Sequence, residues 1–138
     1  MPLRLEIVTA ERVVFSDDVD LVSAPAAEGR VGILPRHEVM LTVLLPGEFH
    51  YTKDGVTYPF AISGGFMEVL PDRVTVLADT AERGDEIDEA RAEAARQRAE
   101  QRMRDRQSSR DLALAEAELR RAMVRLQVAR LRKSRPQR

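Results

Sequence analysis

Glycine runs out at residue 84. All seven Gly of the 138-residue chain lie at or before Gly84, and six of the seven Pro do too, Pro136 being the exception. Beyond that point the chain is rich in Ala, Arg, Glu, Leu and Gln, residues that lose little side-chain freedom in a helix. A stretch punctuated by Gly and Pro every few residues cannot hold a long helix. A stretch without either lacks the residues that tight β-turns require. The break therefore predicts two modules, residues 1–84 and 85–138. The aromatics Phe15, Phe49, Tyr51, Tyr58, Phe60 and Phe66 all fall in the first. Charge divides as well: the first module carries 7 Lys/Arg against 13 Asp/Glu, the second 15 against 10, within an overall charge of −1. A near-neutral chain is thus an acidic module joined to a basic one.

The first module reads as short strands. Leu3, Leu5 and Ile7 alternate with Arg4 and Glu6; Val19 and Leu21 alternate with Asp18 and Asp20; Val56, Tyr58, Phe60 and Ile62 alternate too. Period two gives one buried and one wet face. Turn signals fall at Ser16-Asp17-Asp18, from Pro25 to Gly32, and at Pro46-Gly47, Lys53-Asp54-Gly55, Gly64-Gly65 and Pro71-Asp72-Arg73. Asp54-Gly55 between alternating runs is a strong hairpin signal. Strands at this spacing predict an antiparallel β-sandwich.

The second module reads as two helices. Leu112, Ala115, Leu119, Ala122, Leu126 and Ala129 step by 3 and 4 residues, as a coiled-coil-like seam does. Ala92, Ala95 and Ala99 form a small-residue stripe on the earlier helix. Between them lies Gln107-Ser108-Ser109-Arg110-Asp111, with Ser109 the expected N-cap. The fold class is therefore α+β: an N-terminal antiparallel β-sandwich followed by a C-terminal antiparallel two-helix hairpin. Ala buries little area, so the hairpin is weakly packed and suited to two states.

Chemistry is sparse. There is no Cys, so disulfides, thiolate metal ligands and thiol nucleophiles are excluded. His37 and His50 are the only histidines and have no ligand-spaced partners, so no metal is expected. No phosphate-cradling Gly-rich loop and no nucleophile elbow occurs. No run of about 18 apolar residues is present, and the N-terminus lacks a basic-then-apolar leader, so neither a membrane span nor a signal peptide is expected. The chain is not expected to be an enzyme.

Charged residues of the second module are more suggestive. Asp85, Glu86, Asp88 and Glu89 crowd a helix start, where acids complement the helix dipole. Asp88 and Arg91 share a helix face, Arg98 lies two turns further along it, and Arg121 and Arg125 share a face of the second helix. A closed hairpin would gather these arginines, whose forked guanidinium groups suit phosphate.

Several ordered stretches resemble the epsilon subunit of bacterial rotary ATP synthase (delta in mitochondria). They are Gly29-Arg30-Val31-Gly32-Ile33-Leu34-Pro35-Arg36-His37, Ile62-Ser63-Gly64-Gly65-Phe66-Met67-Glu68-Val69, Val74-Thr75-Val76-Leu77-Ala78-Asp79-Thr80-Ala81-Glu82-Arg83 and Ile87-Asp88-Glu89-Ala90-Arg91-Ala92. The resemblance runs from about Leu3 to Leu131.

It implies a non-catalytic subunit of a proton-translocating F-type synthase, peripheral on the cytoplasmic face of the cell membrane. Its partners would be the gamma subunit, the c-ring and the alpha/beta catalytic subunits. Arg30, Ile33, Leu34, Pro35 and His37 match the loop that faces the ring. Arg30 stands where relatives often carry an acid. Glu82, Ile87, Asp88, Arg91, Ala92, Arg98, Arg121 and Arg125 match an ATP-binding site that favours the folded hairpin. In that site Ile87 and Ala92 pack on the base, and the arginines meet phosphates. Cofactors are not required; ATP is a regulatory ligand. An extended hairpin inhibits ATP hydrolysis, with Arg120, Arg121, Arg125, Arg130, Arg132 and Lys133 facing alpha/beta. The competing reading is a nucleic-acid-binding or adaptor module that uses the basic last helix, where Arg110 onward holds 9 Lys/Arg against 3 Asp/Glu. Against it, Glu116 and Glu118 interrupt that helix and stacking aromatics are absent from it.

Overall fold

The computed structural model describes residues 3–105 and 109–134, the side chains as far as Leu131. It divides into two units, at Arg83 and Gly84.

The first unit holds eight strands: β1 Leu3–Val8, β2 Val13–Val19, β3 Leu21–Ala26, β4 Gly29–Ile33, β5 Met40–Lys53, β6 Val56–Leu70, β7 Arg73–Ala78 and β8 Ala81–Arg83. They run in the order β2-β1-β7-β6-β5-β3-β4, with β8 paired to β6. The sheet folds over on itself. Phe15 of β2 stacks on Tyr51 of β5 at 4.6 Å between ring centroids, although four steps of the ladder separate the two strands. Phe60 packs edge-on against both Phe15, at 5.9 Å, and Phe49, at 6.3 Å. Leu3, Leu5, Ile7, Val22, Ile33, Phe49, Met67, Val69, Val74 and Val76 fill the space between the layers and are fully buried. This is the predicted sandwich, with one departure. β1 pairs with β7 in parallel, because the chain returns to β1 only after building the rest of the sheet.

Asp54 and Gly55 turn with φ of 52° and 78°, both in the left-handed region that this two-residue hairpin needs. Three other turn signals do not turn the chain. Ser16-Asp17-Asp18 lies inside β2, paired in register with β1. Pro46-Gly47 and Gly64-Gly65 lie inside the long strands β5 and β6, almost opposite each other, with Pro46 level with Ser63. Here β6 exchanges β7 for β8 on its far edge. Pro46 costs no ladder bond. Ser63 spends its N–H on the Thr80 carbonyl, at 3.2 Å, and the β3–β5 register is interrupted between Ser23 and Ala26. Gly65 has φ of +143°, and a Cβ there would lie 2.0 Å from the Leu77 carbonyl oxygen. Only Gly lets β7 approach this closely.

Two burial patterns differ from the sequence reading. Leu21 does not continue the alternation of Val19, because the chain bends at Asp20 between β2 and β3 and hands the buried position to Val22. Residues 59–62 are buried without a break rather than alternately, so both faces of β6 are covered there.

The second unit begins with a 3-10 turn at Gly84–Glu86, followed by α1 Glu89–Arg104 and α2 Ser109–Ser134. Ser109 is the first helical residue of α2 rather than its cap; the residue before it lies outside the described ones. The small-residue seam forms as expected: Ala92 and Ala99 of α1 and Ala115, Ala122, Leu126 and Ala129 of α2 are buried. Leu112, Leu119 and Ala95 are only half-buried. Val128, outside the seam's spacing, is fully buried.

Gly65→Ala is expected to destabilise the sandwich by roughly 3 kcal/mol, through positive φ and a backbone clash. Gly32→Ala, with no atom within 4 Å of where its methyl group would stand, is expected to stay within about 0.5 kcal/mol of wild type. Denaturant unfolding of the full chain followed by sandwich tyrosine signals checks both.

Candidate functional surfaces on the sandwich and the hairpin

Of the five residues expected in a partner-facing loop, three are in one. Leu34 is 60% exposed, and Pro35 and His37 are half-buried; the His37 ring nitrogen Nδ1 lies 2.8 Å from the Glu38 carbonyl oxygen. The loop is held down by the Arg36 N–H, which donates to the Pro71 carbonyl at 2.7 Å, with Arg36 at φ of 67°. Ile33 corrects the expectation. It ends β4 with its side chain wholly inside the core, so it cannot face a partner. Arg30 also belongs to β4, and its guanidinium lies back across the sheet. Nη1 donates to Ser23 Oγ at 2.7 Å, and Nη2 donates to Glu48 Oε2 at 2.6 Å and to the Glu48 carbonyl. Glu48 Oε1 is 2.6 Å from His50 Nδ1. Arg30 therefore ties β4 to β5 across β3.

Sequence reasoning missed the surface beside that loop. Val39, Leu41, Val43 and Leu45 are 71%, 72%, 47% and 47% exposed and recur every second residue, so they line one outer face along β5. Val43 is level with Phe66 of β6, and Phe66 with Leu77 of β7; these two are also about half exposed. The stripe crosses three neighbouring strands and runs back towards Leu34. Exposed Glu38 and Glu68 border it, Glu68 being level with Leu41. The signal was legible: all of residues 39–45 but Thr42 are apolar, so apolar residues stand at both parities, which a half-buried strand does not need. Exposed apolar side chains gathered on one face in this way are candidates for an interaction surface.

The hairpin places its predicted residues on two flanks. Asp88 is not a surface partner of the Arg91 side chain: it is the N-cap of α1, its Oδ1 accepting the Arg91 backbone N–H at 3.1 Å. Ala92 corrects a further expectation, for it is fully buried and has no surface to offer a base. Ile87 is half-buried. Glu82 lies on β8 in the sandwich unit, paired through its backbone with Ala61.

Arg91, Arg98 and Arg121 are exposed and Arg125 half-buried. Antiparallel register brings Arg98 level with Arg121, since Arg102 of α1 bonds Glu118 of α2 at 2.5 Å. On the opposite flank, an open groove of about 1480 Å³ is lined by Glu89, Glu93, Arg96, Arg120, Met123 and Arg130, among others. At about 100° per residue, its α1 lining is roughly half a turn from Arg91 and Arg98. The four arginines expected to meet phosphate therefore share one flank, and Arg120 and Arg130 face the other. Arg132 and Lys133 lie in α2 with side chains outside the described residues.

Ion pairs tie the groove flank together. Arg96 bonds Glu93 and, at 2.5 Å, Glu100. Hydrogen bonding from Arg96 holds the Glu93 carboxyl below its usual range, despite partial desolvation. Across the helices, Arg130 lies 3.5 Å from Glu89 and 4.0 Å from Glu93. Among the described residues no group of His, Cys, Asp or Glu is arranged to hold a metal.

Asp88→Ala is expected to cost the hairpin about 1 kcal/mol, whereas Asp88→Ser keeps most of the cap. Amide hydrogen exchange in the first turn of α1 distinguishes the two.

Residues 2–84 match the family model for the ATP synthase delta/epsilon chain β-sandwich domain, and residues 85–130 that for its long α-helix domain. The ATP synthase epsilon chain of Herpetosiphon aurantiacus is 75% identical over 135 residues, covering 98% of this chain and 99% of the relative. That of Chloroflexus aggregans is 66% identical over 133 residues, covering 96% of each. A chain in the structure of the Euglena gracilis mitochondrial ATP synthase, comprising OSCP, F1 and c-ring, shares the fold. Its TM-score is 0.80 at 22% identity, covering 94% of this chain and 81% of that one. The chain belongs to the ATP synthase delta/epsilon family and is an epsilon chain, a subunit of the synthase rather than an enzyme in its own right.

Proposed function

We propose that the chain is a central-stalk subunit of a proton-translocating F-type ATP synthase, in which the sandwich couples gamma to the c-ring and the hairpin regulates ATP hydrolysis. The observation that carries the coupling role is the apolar stripe from Val39 to Leu45, with Phe66 and Leu77. A rigid sheet can transmit torque only if it is clamped to its partner, and exposed aliphatics across three strands are suited to a large dry contact. The stripe takes gamma. The loop at Leu34, Pro35 and His37, next to it, takes the ring. The protein is then held at the cytoplasmic face of the membrane through the complex, in keeping with the absence of any membrane-length apolar helix among the described residues.

The hairpin supplies the regulatory part. Its seam is mostly Ala, which buries little apolar area, so closed and open states lie near each other in free energy. Closed, it permits turnover. Extended, α2 reaches alpha/beta and inhibits hydrolysis through Arg120, Arg121, Arg125, Arg130, Arg132 and Lys133. ATP favours closure by binding the flank that carries Arg91, Arg98, Arg121 and Arg125, with Ile87 and Asp88 completing the site. Asp88 acts there by capping α1. A ligand that binds only the closed state adds about 2.7 kcal/mol at a hundredfold excess over its Kd, enough to reverse a marginal equilibrium.

Replacing Leu41 and Phe66 together by Asp is expected to abolish copurification with gamma while thermal unfolding of the chain stays near wild type. Retained copurification would move the interface elsewhere. Calorimetry with ATP should give heat for the wild-type chain and none for Arg91→Ala. No heat from either would leave the hairpin without a nucleotide.

A further inference from the structure

We propose that Glu89 and Glu93 act as an internal decoy for Arg130, neutralising in the closed hairpin a guanidinium that the open hairpin presents to an acidic partner surface. This rests on the regulatory reading above and names the charge on which it turns. Arg130 stands near the end of α2, and the two carboxylates in the first turns of α1. Arg130 Nε is 3.5 Å from Glu89 Oε1, and an Nη nitrogen is 4.0 Å from Glu93 Oε2. These contacts exist only while the helices lie side by side.

Both carboxylates line the groove together with Arg130, on the flank away from Arg91, Arg98 and Arg121, so the contact is separate from the arginines assigned to nucleotide. Arg96, which bonds Glu93 from its own helix, keeps that carboxylate ionised and oriented. Arg130 remains 64% exposed, so an incoming acidic surface can reach it and compete. The two carboxylates and an acidic partner surface compete for the charge of one guanidinium, so closure weakens the partner contact at this residue. The Arg102–Glu118 pair at the other end of the hairpin also fastens the helices, but breaking it uncovers an acid on α2 rather than a base. The decoy is thus specific to the Arg130 end.

The test uses the full chain, which has no Cys, so spin labels can be placed at Ala90→Cys and Gln127→Cys. Glu89→Gln/Glu93→Gln and Arg130→Gln should each raise the open fraction about two- to fivefold, the range for exposed ion pairs. Salt should raise the open fraction of the wild type more than that of either variant, which keep the Arg102–Glu118 pair across the helices. In a complex of alpha, beta and gamma reconstituted with the chain, the double Gln variant should inhibit ATP hydrolysis at about two- to fivefold lower concentration, following the open fraction. Arg130→Gln, equally open, should not. Equal gains in inhibition from both variants would overturn the decoy, because Arg130 would then not be the partner contact. An unchanged open fraction in both would overturn it as well. No inhibition by the wild-type chain would instead overturn the regulatory reading, and the decoy with it. Circular dichroism of each variant separates opening from loss of helix.

Discussion

The approach of β7 to β6 at Gly65 is the constraint on which the sandwich depends. With the Leu77 carbonyl oxygen 2.0 Å from where a Cβ would stand, the two backbones meet in a way that only Gly allows. At this point β6 passes from one layer to the other, with β7 on its edge below and β8 above. Pro46 makes the matching bend in β5, at a position where neither neighbouring strand asks for its missing N–H. Because both long strands cross at one place, Phe15 can fold over onto Tyr51 and Phe60 and close the core.

The exposed stripe follows from the same geometry. β5 contributes Leu44 and Phe49 to the interior and Leu41, Val43 and Leu45 to the outside. One strand is therefore apolar on both faces, and only one of those faces is satisfied within the unit. The acidic balance of residues 1–84, and Glu38 and Glu68 beside the stripe, suit a partner with a basic rim. Arg30, which the resemblance assigned to the partner-facing loop, fastens β4 to β5 through Glu48 and so supports the strand from which the loop leaves.

The hairpin is held differently. Its seam of small residues permits close helix packing but supplies little hydrophobic stabilisation, which leaves charge on the surface to set register. Arg102 with Glu118 at one end, and Arg130 with Glu89 and Glu93 at the other, fix an antiparallel pairing without adding a deep core. Exposed ion pairs contribute little each, so this arrangement specifies the helix pairing without locking it. Val128, buried outside the seam, shows that the 3-4 spacing does not account for every covered position of α2.

Much of this was legible from residue order alone. The end of Gly at residue 84 separated sheet from helix, because backbone freedom and helix propensity are local properties. Alternation at Leu3, Leu5 and Ile7 and the Asp54-Gly55 turn are equally local and appear as read, whereas the Ala–Leu seam is buried at Ala92, Ala99, Ala115, Ala122, Leu126 and Ala129 but only half-buried at Ala95, Leu112 and Leu119. What only the tertiary structure decided depends on neighbours distant in sequence. Pro46-Gly47 and Gly64-Gly65 bend strands instead of turning the chain, because β3, β7 and β8 surround them. Ile33 and Ala92 are removed from the candidate surfaces, and Asp88 becomes a cap, because burial and hydrogen bonding are set by what packs against a residue. A side chain's identity determines what it can do; whether it faces solvent, core or partner is settled by the long-range contacts that a linear pattern does not record.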